Sequence, residues 1–502
     1  MKTKKVMVKK KDETTVNIAK YGYELALAIV IIIAAIALCY GISDPWRKGH
    51  EGTNGAYYST IARNYLIYGL KTKLAQVQNP YIVSPKDFGF YADHPPLMPL
   101  TVALFFMVFG EHEWSARLVP ILCSLFSLWL IFLIGKDLWN KRVGLIASAA
   151  FSANAMFLWY GHHVNHEAPT IFFGLLIILS YIRWIRGDVR YFWILCVSIF
   201  LGGLTDWPTY YLIPILGLHY FIFAKPRKLI AIVPVAVSIA TLGLIFLQIR
   251  LMGPNYFKIL VDQFFFRVNL SAVDTSKVIT FKDLLVTLYQ RALTLFTIPL
   301  LISSIAGLFI SLTKRFGKER FFSFSILLGL FAYAWIHILL FKNGAYIHSY
   351  WMHYMLPALG LSAGIALDFV ASFLPKQLNL VPALIVIAIM AFLTKPTLSN
   401  IYNAYDYSYY NLGTAIASIS NPGDTILVSF PGINNPQVAY YARRNIIENI
   451  NSLAAFNQAL KDHPSSAVMI SLKNGTDPGL LNFLNGRYPH QEPGNIIIYK
   501  LQ

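Results

Sequence analysis

The chain is 502 residues long, with 56% hydrophobic and only 13% charged residues, and it holds several apolar runs of the ~20 residues that a bilayer crossing requires. Its formal net charge of +18 is spread over short loops beside those runs, where anionic headgroups and topology account for it; nucleic acid is therefore discounted as a partner and membrane lipid is implied. Cys39, Cys123 and Cys196 lie in apolar stretches at unrelated spacings, which suggests neither a metal cluster nor a disulfide framework.

The tail Met1 to Lys20 carries seven lysines, which places the N-terminus in the cytoplasm. The run from about Glu24 to Tyr40 lacks a clear small-residue cleavage site and reads as a retained first span. A polar loop follows, residues 43–115, that gathers Asp44, His50, Glu51, Asp93 and His94. Within it, Tyr57, Ile61 and Tyr65 recur every four residues, as on an interfacial helix. The diproline of Asp93-His94-Pro95-Pro96-Leu97 presets the start of an apolar piece, Leu97 to Gly110, that is too short to cross and is expected at the outer interface.

Spans are then expected near 22–42, 116–134, 143–160, 169–185, 191–204, 209–224, 229–248, 293–313, 321–341, 354–373 and 379–394, about eleven in all. Basic clusters at Lys136, Lys141 and Arg142, at Arg183, Arg186 and Arg190, at Lys225, Arg227 and Lys228, and at Lys314, Arg315, Lys318 and Arg320 should share the cytoplasmic side with the tail. The alternate junctions, with Glu167, with Asp206 and with Lys342 and His348, should lie outside. From about Asn400, short apolar strands (425–430, 467–472, 495–501) alternate with helical patterns (436–443, 452–461), the mark of a small soluble α/β domain. The expected fold is an α-helical polytopic membrane protein: a basic cytoplasmic tail (1–21), a transmembrane domain (22–395) with outer interfacial helices and a catalytic first outer loop (43–115), and an extracytoplasmic α/β domain (396–502).

Ionisable groups at a membrane edge are candidate functional residues by default. Glu51 at a helix start reads equally as simple helix entry or as a general base. Asp93 and His94 read as a turn or as hydroxyl-binding groups at a cavity mouth. Asp206, beside Trp207 and Pro208, reads as a satisfied turn or as a sugar-facing edge. His162, His163 and His166 raise the question of a divalent metal, but they only partly share a helical face and no Cys or second Glu completes a set. A polar cavity wall is the stronger reading, and no metal ligand is assigned. Lys342 reads as a phosphate-binding cation or as a snorkelling lysine.

Taken together, His50-Glu51-Gly52, Tyr57-Tyr58, Ile61-Ala62-Arg63-Asn64-Tyr65-Leu66, His94-Pro95-Pro96-Leu97, Phe109-Gly110-Glu111, Ser115-Ala116-Arg117-Leu118 and Tyr354-Met355-Leu356-Pro357 resemble the C-type glycosyltransferases that use polyprenyl-phosphate-linked sugars. The branch they resemble contains the protein O-mannosyltransferases and lipid A aminoarabinose transferases. The resemblance implies an extracytoplasmic site and inverting transfer of one sugar from undecaprenyl- or dolichyl-phosphate to a hydroxyl of a protein, lipid or glycan. It also implies a first-loop carboxylate as base and no obligatory metal or other cofactor. Carried onto this chain, it makes Glu51 or Asp44 the base and sets Lys342, Arg63 and Arg117 at the donor phosphate. His50, Tyr57, Asp93, His94, Glu167, Asp206 and His348 would contact substrate. Three positions depart from the family pattern: the Asp-Glu pair is His50-Glu51, the acid before the fourth span is Glu167 rather than Asp, and a Lys-Gly pair is replaced by Asp206-Trp207. Rival readings are a lipid-linked glycan transporter, disfavoured because repeated halves and mid-membrane helix breaks are not evident, and an inactive membrane scaffold.

Overall fold

The computed structural model describes residues 13–226, 228–269, 279–313 and 317–501. Tail residues 1–12, Arg227, Lys314 and Arg315 lie outside the described residues. The chain opens with α1 (Glu13–Leu38), whose Ile29, Ile32, Ile33 and Ile36 are exposed. An apolar helix with such a face is solvated by lipid, not water. The first loop contributes α2 (His50–Tyr68), a two-stranded antiparallel hairpin of β1 (Gln76–Val77) and β2 (Phe90–Tyr91), and α3 (Leu97–Phe109), which Gly110 ends at φ 85°.

The bundle continues with α4 (Glu113–Leu138), α5 (Lys141–Ser152), α6 (Ala155–Tyr160), α7 (Glu167–Ile185), α8 (Arg190–Thr205), α9 (Leu212–Phe223) and α10 (Ile232–Met252). After these come α11 (Pro254–Arg267), α12 (Phe281–Leu295), α13 (Ile298–Thr313), α14 (Lys318–Leu340), α15 (Lys342–Ile347), α16 (Leu356–Ala371) and α17 (Val381–Asn403). Among the described residues, seven helical stretches are long and apolar enough to cross a membrane, or eight if α12 and α13, bent by 108°, count as one. The chain is a multi-pass membrane protein.

The eleven stretches read from sequence map onto this set with local differences. The stretch at 143–160 is broken where Asn154 turns its side chain onto the backbone, accepting from Phe157 N and donating to Ala150 O and Phe151 O. The stretches at 191–204 and 209–224 are the shorter helices α8 and α9. The expected 293–313 span is interrupted at Thr297, which adopts φ 67° two residues before Pro299.

Small residues let the helices close up. A Cβ on Gly135 of α4 would lie 2.6 Å from Gly144 Cα of α5, and one on Gly307 of α13 would run into the Ser362 carbonyl of α16. One end of the bundle is laced by ion pairs between helix ends: Arg183 to Asp137 at 2.7 Å, Lys141 to Glu24 at 2.6 Å, and Arg142 to Asp368.

The C-terminal portion holds α18 (Ser408–Ser418), β3 (Thr425–Val428), α19 (Pro436–Ala442), β4 (Asn445–Ile447), α20 (Leu453–Asp462), β5 (Ser466–Leu472), α21 (Pro478–Arg487), β6 (His490–Gln491) and β7 (Ile496–Lys500). The five strands form one sheet in the order β4-β3-β5-β7-β6, with β3 parallel to β4 and β5 and with β7 antiparallel to both its neighbours. Ile416 and Val438 pack on one face of it, Phe456 and Leu484 on the other.

This domain stands on the first loop. Gln437 donates to Arg47 O at 3.1 Å and to Thr53 Oγ1 at 2.9 Å, while the Tyr441 hydroxyl donates to Glu113 at 2.6 Å and accepts from Trp46 N at 2.7 Å. Tyr440 joins the apolar cluster of Trp46, Tyr58, Ile61, Met98 and Phe106, so much of α2 is buried beneath α19.

Candidate functional site

The hairpin delivers Asp93 and His94 to a fixed place. Gln76 of β1 donates to His94 O at 2.5 Å, and the Trp207 indole donates to Asp93 O at 2.7 Å. Asp206 ends α8 in extended backbone and caps the following 3₁₀ turn, its Oδ1 accepting from Trp207 N at 2.8 Å. The same Oδ1 lies 2.8 Å from His94 Nδ1, and Asp206 Oδ2 accepts from the Tyr354 hydroxyl at 3.2 Å. On its other side the His94 ring stacks on His166 at 4.5 Å. Arg267, the last residue of α11, pairs with Asp93 Oδ2 at 3.2 Å.

These groups close one end of a cavity of about 460 Å³. Its lining is mostly apolar and includes Phe246 of α10, Phe257, Leu260 and Phe264 of α11, Phe341 and Trp351. Phe246, Phe257 and Phe264 are themselves exposed. Hydrocarbon walls that converge on one guanidinium, two carboxylates and two imidazoles suit an amphiphile with an anionic head.

The charges are mutually stabilised. Burial pushes the Asp206 carboxyl up, but His94, through charge and hydrogen bond, and then His166 outweigh it and hold the group well below the usual carboxylate range. Burial favours a neutral Arg267, yet Tyr91, Asp93 and Asp206 overcome that and raise its pKa, so the guanidinium stays charged. Burial, helped by His94, brings His166 down to about 3, and burial with Arg267 does the same to His348.

Of the residues read from sequence, Asp93, His94 and Asp206 come together in this cavity from positions more than a hundred residues apart in the chain. Glu167 is buried at the start of α7, next to His166, and does not itself line the cavity. His348 packs on cavity-lining Trp351 at 5.4 Å and accepts or donates a 2.8 Å bond with Tyr350; His50 lies exposed, 5.9 Å from His348 between ring centres. Tyr57 donates to Gln78 at 2.5 Å and packs on Tyr91.

Glu51 lies elsewhere. Arg117 grips its Oε1 through Nε at 3.0 Å and Nη2 at 2.8 Å, and Arg47 Nε stands 3.6 Å from Oε2. With Asp44 it lines a separate small pocket beside Trp159, His162 and Tyr405. Burial raises the Glu51 pKa, and Arg117, His162 and Arg47 more than reverse that, leaving it lowered. The three cations expected at a donor phosphate do not line the large cavity. Arg117 is occupied by Glu51 and by the carbonyls of Ile42 and Asp44; Arg63 is occupied by Glu111, Pro80 O and Tyr440 O; Lys342 starts α15 outside the lining. The cation that does line it is Arg267, which sequence reasoning passed over; Tyr354, read only as the first residue of the motif ending at Pro357, supplies the hydroxyl that donates to Asp206. The one signal for Arg267 is the segment after Gly253-Pro254, a helix start too polar and short for a span that ends on a lone arginine. Among the described residues no group of three or more His, Cys, Asp or Glu is arranged to hold a metal ion.

Known proteins resemble the chain in its fold and in part of its sequence. Residues 93–251, which begin at Asp93 and include Asp206, match the family model described as dolichyl-phosphate-mannose-protein mannosyltransferase. The chain is 25% identical over 182 residues to an uncharacterized protein of Aquifex aeolicus and 23% identical over 232 residues to the provisionally named mannosyltransferase YkcB of Bacillus subtilis. These matches take in 36% and 45% of this chain and about a third of each relative, 34% and 30%. Among solved structures, ArnT from Cupriavidus metallidurans in the apo state superposes with a TM-score of 0.63 at 13% identity, over 96% of this chain and 98% of that one. The same protein bound to undecaprenyl phosphate gives 0.62 at 12% identity, over 95% and 98%. The oligosaccharyltransferase AglB from Archaeoglobus fulgidus, in complex with an inhibitory peptide and a dolichol-phosphate, gives 0.59 at 13% identity over 97% of this chain and 75% of that one. The chain thus has the fold shared by ArnT and AglB, and residues 93–251 match the family model of the dolichyl-phosphate-mannose-protein mannosyltransferases.

Proposed function

We propose that this protein is an inverting glycosyltransferase that moves one sugar from a polyprenyl-phosphate carrier, undecaprenyl- or dolichyl-phosphate, to a hydroxyl of a protein, lipid or glycan on the extracytoplasmic face. The observation that carries this reading is the apolar cavity closed by Arg267, Asp93, His94 and Asp206. The hydrocarbon of the carrier would lie along the α10 and α11 walls, and its phosphate would meet Arg267, whose planar fork suits a phosphate. Asp93, with His94 beside it, would hold sugar hydroxyls, and Glu167 and His348 would back the sugar from behind.

Phosphate is a good leaving group, so the protein's part is to position the sugar and to balance charge as the anomeric carbon–oxygen bond breaks. Attack by the acceptor from the opposite side of the ring inverts the anomeric centre. No metal is assigned to the site. Outward sidedness is supported by the basic ion pairs at the far end of the bundle, where Lys141, Arg142 and Arg183 lie.

The test is release of free polyprenyl phosphate by the purified protein in vesicles, supplied with a polyprenyl-phosphate-linked sugar and a hydroxyl acceptor. Arg267→Ala should slow release about 10- to 100-fold, the equivalent of the ~1.5–3 kcal/mol of a hydrogen bond to a charged group, and Arg267→Lys should keep part of the rate. Release at the wild-type rate by Arg267→Ala would remove this cavity from donor binding.

A further inference from the structure

We propose that His94, backed by Asp206, is the general base that takes the proton from the acceptor hydroxyl. The inference rests on the glycosyl-transfer reading above and names a catalytic group within it. Three observations lead to it. First, the first-loop carboxylates named as candidates are placed or engaged elsewhere: Glu51 is held by Arg117 and Arg47 and, with Asp44, lines the separate small pocket, while Asp93 is held by Arg267 at 3.2 Å. Second, His94 Nδ1 sits 2.8 Å from Asp206 Oδ1. A carboxylate there accepts, so the proton of the neutral ring resides on Nδ1 and the lone pair on Nε2. Among the described residues the Nε2 edge makes no hydrogen bond, and the side chain keeps 15% exposure while lining the cavity.

Third, the carboxylate behind the ring is fixed. Asp206 accepts from Trp207 N on one oxygen and from the Tyr354 hydroxyl on the other, so it orients the imidazole without itself receiving the proton. The stacked His166 restrains the opposite ring face. The charged and titratable groups around the ring are Asp206 from the turn after α8, Asp93 beside it in sequence, Arg267 from α11, His166 before α7, His337 on α14, His348 after α15 and Tyr91 on β2. The acceptor O–H proton passes to Nε2 while the acceptor oxygen bonds the anomeric carbon. The bond from that carbon to the phosphate oxygen breaks and its electron pair leaves on the phosphate, facing Arg267. The imidazolium so formed lies against the Asp206 carboxylate and later returns its proton to water.

The experiment measures polyprenyl-phosphate release by wild type, His94→Gln, His94→Gly and Asp206→Asn, with the pH dependence of kcat/KM and separate binding of free polyprenyl phosphate. For His94→Gln we expect kcat to fall about 100- to 1000-fold, within the range of general-base catalysis, with binding of polyprenyl phosphate changed less than about 3-fold. The wild-type pH profile of kcat/KM should have an acid limb that His94→Gln lacks; added imidazole should restore part of the rate of His94→Gly. Asp206→Asn should lose rate without losing binding. A kcat within about 3-fold of wild type in His94→Gln, or an unchanged acid limb, overturns the assignment. Absence of release by wild type would instead overturn the glycosyl-transfer reading, so the two failures are distinct.

Discussion

Glu51 shows how one side chain's partners decide what it can do. Buried and gripped by Arg117 and Arg47, it behaves as a strut that ties the start of α2 to α4. Glu51→Gln leaves two guanidiniums without their counter-charge, and removing one partner of a buried pair costs about 3–5 kcal/mol. Because its folded pKa is lowered, the Glu51 stabilisation is whole above the ordinary carboxylate pKa and lost as pH falls through the lower folded value. The buried histidines act over a different window. Burial takes His162 to about 4 and His166 to about 3, so both are neutral in the fold while the unfolded chain binds protons below about 6.5. Their contribution is whole above that pH and declines toward those folded values, by up to ~1.4 kcal/mol per pH unit each. A thermal-melting series should therefore show the midpoint dropping from pH 6.5 downward in wild type, and Glu51→Gln should start lower at pH 7 and lose less below pH 4. The sequence picked out Glu51, His94 and Asp206 as chemically loaded. It could not reveal that Arg117, 66 positions on, would close over Glu51, or that His94 and Asp206, 112 apart, would share a proton-bearing contact.

At the level of elements, the long apolar helices and the three main strands of the C-terminal sheet were legible because hydropathy and alternation are local signals. Interruptions were less so. The run at 293–313 is continuously apolar, yet it bends at Thr297, where φ 67° is unfavourable for a β-branched residue and its buried hydroxyl has no partner among the described residues. Thr297→Gly should raise stability by about 1 kcal/mol, from relief of that backbone strain and of the unpaired hydroxyl, and a lower melting midpoint would show that the bend is held by the threonine itself. The α11 segment escaped the sequence reading for the converse reason. It is a short helix lying between recognisable spans, and hydropathy gives no weight to Arg267 at its end.

Across the whole molecule, the C-terminal domain and the first loop form one body. Their joint is polar and joins residues 328 to 395 apart, as in Tyr441 to Glu113 and to Trp46, so no sequence pattern announces it. Tyr441→Phe removes the donor to Glu113 and the acceptor for Trp46 N, groups whose loss leaves buried partners unpaired at about 1–3 kcal/mol. Faster proteolysis between 396 and 408 and a lower melting midpoint should accompany that change; unchanged cleavage would mean the apolar cluster around Tyr440 holds the joint alone. Phe246, Phe257 and Phe264 of α10 and α11 both line the cavity and are exposed, so its apolar wall continues onto the outer surface of these helices. On the proposed reading, exchange of fresh for spent carrier is then two-dimensional diffusion within a leaflet, and turnover follows the carrier's mole fraction among the lipids, not its amount per volume of water.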